Sequence, residues 1–341
     1  MPMRGSVAEY HYEHADVDDW RNWLRRAPVS YVGQSDAYGE GKATQGWSVS
    51  RVVFRNRNRA VAACQIQERR IAGILVVSRV HQGPLFFDSN PSPDVVLGVY
   101  RALRKGWGRL WTGPLVISPA LVDTPENRKI LRLAGYRKRS DVAVQSALLD
   151  LNGTEGDLFA RLSSNFRNRC RKAEKAGVTV DVSNSPEVID WLVRNNINTL
   201  SAKNVFANTV EFYQAVARAA GDDFFVLRAL HGDEPVGGAI FLRTGNTTKY
   251  EIGWRCPKAH NLYLGYALMW NAIKEARRRG AVLYDVGGLG DAGGFTRFKR
   301  EMKGREYQLI GDHIGFDLPD TPSLRLIPSQ IGQFAALAIV T

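Results

Sequence analysis

The sequence predicts an α/β (α+β) protein built from two copies of one unit. The order hairpin, strand, helix, strand, helix, strand can be read twice, about 175 residues apart and with low identity, the mark of a duplicated unit. A length of 341 residues suits two modest domains, each with its own core. Hydrophobic content of 44% and charged content of 23% are those of an ordinary globular chain. The expected organisation is a first unit over 1–152, a basic linking helix over 153–178, a second unit over 179–318 and a tail over 319–341.

Taken in order, Trp20, Trp23 and Leu24 suggest a short amphipathic helix. Residues 47–54 and 60–67 read as strands, joined by the basic, Asn-rich connector Arg55-Asn56-Arg57-Asn58-Arg59. Residues 71–80 continue the strand pattern until His81-Gln82-Gly83-Pro84 breaks it. A helix over 93–105, a strand over 110–117, a helix over 124–134 and a strand over 146–151 complete the first copy. Residues 155–177 read as one helix with an apolar start at Leu158, Phe159 and Leu162 and a stop at Gly177. Residues 185–221 read as a helical segment. The second copy then runs as strands 224–230, 236–243 and 247–254, helix 262–279, strand 282–286, helix 295–303 and strand 306–311.

A net charge of +12 and a pI near 9.7 favour polyanionic partners. Cys64, Cys170 and Cys256 are odd in number and far apart. They offer neither a metal-site spacing nor a disulfide framework, and a reducing cytoplasm is the expected compartment. No apolar signal region is visible near the N-terminus. The longest apolar run, residues 334–340, is too short to span a bilayer but leaves a peripheral membrane or partner contact open.

Residues 281–304 are the most informative stretch. A short apolar strand ends at Asp285, and Gly287, Gly288, Gly290, Gly293 and Gly294 strip side chains from the following loop. A helix then starts with Arg297, Lys299, Arg300 and Lys303 among Phe295, Phe298 and Met302. Such a strand, bare loop and cationic helix suit a negatively charged group. The spacing Gly288-x-Gly290-x-x-Gly293 also fits a dinucleotide fingerprint, but about fifty residues from the C-terminus there is no room for the rest of that sheet. The plain alternative is a flexible turn beside a solvated basic helix.

Tyr284-Asp285-Val286-Gly287-Gly288 followed by Phe298-Lys299 resembles the Fem family of aminoacyl-tRNA-dependent peptidyltransferases. Two further elements fall in the right order. Gln34-Ser35 followed by Tyr38 and Lys42 resembles an early family element, with Tyr38 where a tryptophan is usual. Gln82-Gly83-Pro84, followed by Asp88, resembles a Gly-Pro element. The resemblance spans roughly residues 30–315 and implies two tandem modules of the GNAT acyltransferase type. The long coiled-coil arm of some members is expected to be missing.

The implied reaction moves an aminoacyl group from a tRNA 3′ end to an amine on a peptide. The ester is already activated, so alignment and oxyanion stabilisation are the main tasks. By resemblance Lys299 is the key catalytic lysine, with Phe298 beside it, and charged tRNA is the co-substrate in place of a bound cofactor. Resemblance also places Lys42, Asp88, Tyr213, Tyr250, Gly287, Gly288 and Arg297 on the substrate side. Asp88 is the better candidate for the incoming ammonium, and Asp285 for orienting the loop. Arg161, Arg167, Arg171, Lys172 and Lys175 are candidates for tRNA phosphates, since Arg167, Arg171 and Lys175 recur at i, i+4, i+8. A solvated helix face is the alternative for them. DNA is not an expected partner, and no metal signature stands out.

Two departures matter. Acyl-CoA-dependent relatives open the long helix with Gln or Arg where this chain has Leu262, before Gly265 and Ala267. That leaves a pyrophosphate cradle incomplete without excluding an acyl-CoA-dependent N-acyltransferase. Members acting on nucleotide-linked cell-wall precursors carry an arginine shortly before a tyrosine, where this chain has Asn208 and Thr209 before Tyr213. The acceptor is therefore open between a peptidoglycan precursor and a secondary-metabolite peptide. A non-catalytic RNA-binding protein is the third reading, supported by charge alone.

Overall fold

The computed structural model describes residues 10–108, 113–140, 143–202, 205, 207–290 and 294–316. The C-terminal tail and its apolar run lie outside these, as do the first residues of the strand expected over 110–117. The first half runs β1 (Tyr10–His14), α1 (Val17–Arg26), a 3₁₀ turn (Val32–Gln34) and α2 (Asp36–Ala43). It continues through β2 (Ser48–Asn56), β3 (Arg59–Ile71), β4 (Ile74–His81), β5 (Leu85–Phe86), α3 (Pro93–Trp107) and β6 (Leu115–Ser118). Next come α4 (Pro125–Leu133), β7 (Arg137–Lys138) and β8 (Gln145–Asp150). The second half begins α5 (Glu155–Arg161), α6 (Ser164–Lys175), β9 (Val178–Val182), α7 (Pro186–Ser201) and α8 (Val210–Ala220). It ends β10 (Phe224–His231), β11 (Glu234–Thr244), β12 (Thr247–Arg255), α9 (Leu264–Arg278), β13 (Leu283–Asp285), α10 (Gly294–Arg300), β14 (Arg305–Gln308) and β15 (His313–Gly315).

The duplication is visible in the pairing. One sheet has the order β1-β2-β3-β4-β6-β15-β7, with β5 also on β3, and the other β14-β8-β13-β12-β11-β10-β9. In each, four antiparallel strands are followed by one parallel pairing, β4 with β6 and β12 with β13. A parallel neighbour requires a crossover, which α3 and α9 supply. The strand beyond each parallel pair is exchanged. β8, from the first half, lies between β13 and β14, while β15, from the end of the described chain, lies between β6 and β7. Strand exchange ties the two modules together through backbone hydrogen bonds rather than through side chains alone.

Two expected helices are each broken in two. The segment 155–177 divides at Leu162 and Ser163, because Leu162 is extended and buried while the Ser163 hydroxyl accepts from the Phe166 N–H and so caps a new helix. The segment 185–221 divides the same way, with Thr209 capping α8. Among the described residues the longest helix is α7, of 16 residues, and no coiled-coil arm is present. No described helix is long and apolar enough to cross a membrane.

α2 has no counterpart in the sequence pattern. Gly39 and Gly41 lower its intrinsic helix propensity, yet both are needed where they stand. A Cβ on Gly41 would lie 2.7 Å from the Phe212 ring and from Val216 on α8, and one on Gly39 would crowd Gln65 and Arg51. The glycines let α2 lie between the first sheet and α8, which closes the module junction. In the first module, Gln34 fills the break between β4 and β5. Its amide donates to the His81 carbonyl at 2.8 Å and accepts from the Gln65 N–H at 2.7 Å.

Candidate active site

The site is built where β12 stops pairing with β13. Their parallel register ends at Lys249 opposite Asp285, and a bulge at Glu251 re-aims the rest of β12. The space beneath α9 is a cavity of about 610 Å³, lined among others by Ala239, Tyr250, Gly253, Trp254, Met269 and Phe298. Gly253 has no side chain where one would run into the Tyr250 hydroxyl, so the phenol lies flat along its own strand.

Lys299 lies behind this cavity rather than among its lining residues. It is 1% exposed, donates to the Gly288 carbonyl at 2.9 Å, and faces the Tyr250 ring at 4.7 Å from the centroid. Burial drives its pKa down; Asp285 offsets this in part and Lys249 adds to it, leaving a value of about 7. The amine therefore changes charge near neutral pH. Phe298 forms a wall of the cavity, stacked on Phe166 and edge-on to Tyr266.

Asp285 holds the loop. Its carboxylate accepts from the Ser146 hydroxyl, from the Gly287 N–H at 2.8 Å and from the Tyr307 hydroxyl at 2.6 Å. Ser146 is on exchanged β8, so both halves of the chain fasten this carboxylate. Gly287 adopts φ 72°, and a Cβ there would lie 2.7 Å from the Tyr250 carbonyl and 3.3 Å from Lys299 Nζ. Gly288 faces open space. Gly287→Ala is therefore expected to cost about 2 kcal/mol or more, and Gly288→Ala to stay within about 0.5 kcal/mol, in urea unfolding. Equal effects would mean that loop geometry does not constrain Gly287.

Of the other sequence candidates, Lys42 and Tyr213 meet around Asn208 and Phe212, while Asp88 and Arg297 lie elsewhere. Lys42 donates to Gln45 Oε1 at 2.7 Å, lies over the Tyr38 and Phe212 rings, and is pushed down to about 8 by burial and then Arg79. Asn208 Oδ1 is 3.5 Å from the same nitrogen, and Thr209 is occupied as a helix cap. Tyr213 is buried beside Phe212, and its phenol is raised by burial. Asp88 is exposed, accepts from the Asn90 N–H, and lines a groove of about 920 Å³ whose far wall includes Tyr307. Arg297 is exposed on α10 and does not line the cavity.

The basic residues of α5 and α6 divide their roles. Arg167 donates to the Ala160 and Leu162 carbonyls, capping α5. Arg161, Arg171, Lys172 and Lys175 are exposed, with Arg171 over Phe159 and Lys172 over Tyr263. Arg169, not singled out from the sequence, lines the cavity and donates to the Tyr266 hydroxyl at 2.8 Å. Also missed were Lys249 and Glu251, paired at 2.9 Å on either side of Tyr250. Two charges inside a central strand were the available signal. Burial lowers Lys249, but the Glu251 and Asp285 carboxylates outweigh it, and the net shift is upward.

Two GNAT-like modules in tandem, with a cavity under the second long helix, define an acyltransferase fold. Residues 160–300 match a family model described as an acetyltransferase (GNAT) domain. The chain is similar to the crystal structure of FemX, with TM-score 0.73 and 13% identity over 93% of this chain and 99% of that one, and the fold is Fem-like. A tandem GNAT protein from the clavulanic acid biosynthesis pathway gives TM-score 0.55 at 12% identity, covering 92% of this chain and 100% of that one. L-PGS from Bacillus licheniformis gives 0.52 at 13% identity, covering 92% and 96%. No curated protein matches the sequence.

Proposed function

We propose that the protein is an aminoacyl-tRNA-dependent aminoacyltransferase that forms an amide between the aminoacyl group of a charged tRNA and an amine of a peptide acceptor. The observation that carries this reading is the Lys299 amine, held by the Gly288 carbonyl behind the Tyr250 ring that lines the cavity, with Arg169 in the same lining and Lys172 nearby over Tyr263. In its charged form Lys299 places positive potential where an oxyanion develops. The exposed cations of α5 and α6 suit the RNA backbone. Where family members acting on nucleotide-linked precursors carry an arginine before the tyrosine, this chain has Asn208, near Lys42, and Thr209, spent as a cap, which favours an acceptor peptide that bears no diphosphate.

The match to an acetyltransferase domain favours a second reading, an N-acyltransferase using acyl-CoA. Purified protein, a mixed pool of charged tRNAs and candidate acceptor peptides separate the two. The expected result is an amide product, identified by mass spectrometry and abolished by RNase pretreatment. Turnover with acetyl-CoA that survives RNase would reverse the order. Binding to tRNA is expected to weaken roughly tenfold or more between about 50 and 200 mM salt, and a flat response would remove the phosphate contacts.

A further inference from the structure

We infer that the donor carries a large apolar side chain, and that the cavity beneath α9 receives it; this rests on the tRNA-dependent reading above. The cavity measures about 610 Å³ with its Arg169 end included, and its other end is walled by Ala239, Leu268, Met269 and Phe298, apolar surface that a glycyl, alanyl or seryl group would leave uncovered. The hollow has a physical origin. Ala239 pairs directly with Gly253 across β11 and β12, so one position contributes only a methyl group and the other makes room for the Tyr250 phenol to lie along its own strand. Above them α9 supplies Leu268 and Met269, both buried, and α10 supplies Phe298. The Met269 sulfur is held by the Tyr284 hydroxyl at 3.1 Å, which keeps this surface in place.

Polar groups are distributed so as to fix the direction of a ligand. Tyr250, with Lys299 behind it, marks the end where the carbonyl reacts. Arg169 is bound to Tyr266 and lies over the Tyr263 ring, marking the end suited to a terminal phosphate and base. No carboxylate is among the described residues lining the cavity, whereas Arg169 and Arg255 are, so a lysyl or arginyl side chain would meet like charge in the lining. An aliphatic, thioether or aromatic side chain gains by leaving water there.

Gly265, the second residue of α9, provides the test. The three atoms nearest a Cβ at Gly265 all belong to the Phe298 ring, at ordinary contact distances of 3.4–3.8 Å, so a larger residue can be accommodated by filling the cavity. The probes are RNA hairpins ending in 3′-amino-3′-deoxyadenosine, amide-linked to leucine, methionine, phenylalanine, glycine, alanine or serine, and titrated against the full chain. The first three are expected to bind at least about tenfold tighter than the last three, since each methylene in an apolar pocket is worth about tenfold or more. Gly265→Leu is expected to reduce that ratio at least about tenfold, and Gly265→Ala to reduce it less. Equal affinities, or preference for the small groups by the wild-type chain, would overturn the side-chain inference and leave the tRNA reading standing. If no hairpin binds and acyl-CoA does, the tRNA reading falls and takes this inference with it.

Discussion

Replacing Lys299 with methionine is expected to lower kcat/KM roughly a hundredfold or more, the loss of about 3 kcal/mol typical for removing one oxyanion donor. Methionine has similar length and keeps the buried volume filled, so the fold is retained. Arginine is no substitute, because a planar fork cannot replace a point charge beneath the Tyr250 ring. The pH profile sharpens the test. With a pKa of about 7 in the folded chain against 10.5 in the reference, Lys299 loses its proton as pH rises through neutrality. A role as the charged donor predicts that the Lys299-dependent limb of kcat falls above about pH 7 and vanishes in the methionine variant. A limb that rises through the same range would make the amine a general base instead.

Stability has the opposite sign. Between about 7 and 10.5 the unfolded chain binds one more proton at this position than the folded chain does, so unfolding free energy rises with pH there. Lys299→Met removes this contribution to the slope. Comparing urea midpoints of both proteins across that range therefore reads the same ionisation without any substrate.

Asp285→Ala is expected to cost about 3–5 kcal/mol of unfolding free energy. The carboxylate is 1% exposed, and removing it strands the Tyr307 hydroxyl and the Gly287 N–H, leaving the Ser146 hydroxyl only the Gly287 carbonyl at 2.9 Å. Because Ser146 belongs to β8 and Tyr307 to β14, the loss acts on three strands of the second sheet. A double-mutant cycle with Tyr307→Phe checks the mechanism. Non-additivity of about 1 kcal/mol or more supports a shared network, whereas simple addition would mean that the carboxylate acts alone.

The elements legible beforehand were those whose stability is local. The β2–β3 and β10–β11 hairpins, α3 and α9 show their periodicity in the side chains themselves, as does the strand leading to Asp285. The glycine loop was legible because only glycine allows the close approach that Gly287 makes to Tyr250. α2 was hidden because Gly39 and Gly41 weaken it as an isolated helix, and only packing against α8 explains them. Arg169 was one cation among several on α6 until Tyr266 and the cavity singled it out.

By itself the order of residues determined a duplicated α/β architecture and pointed to one lysine after a bare loop, since both follow from periodicity and from backbone freedom. Tertiary structure alone decided which strands change places, that Gln34 closes the first module while a cavity stays open in the second, and that Lys299 titrates near neutrality. The reason is physical: strand exchange, cavity volume and desolvation depend on groups more than a hundred residues apart in the chain, as Ser146 and Asp285 are, and no local pattern encodes their meeting.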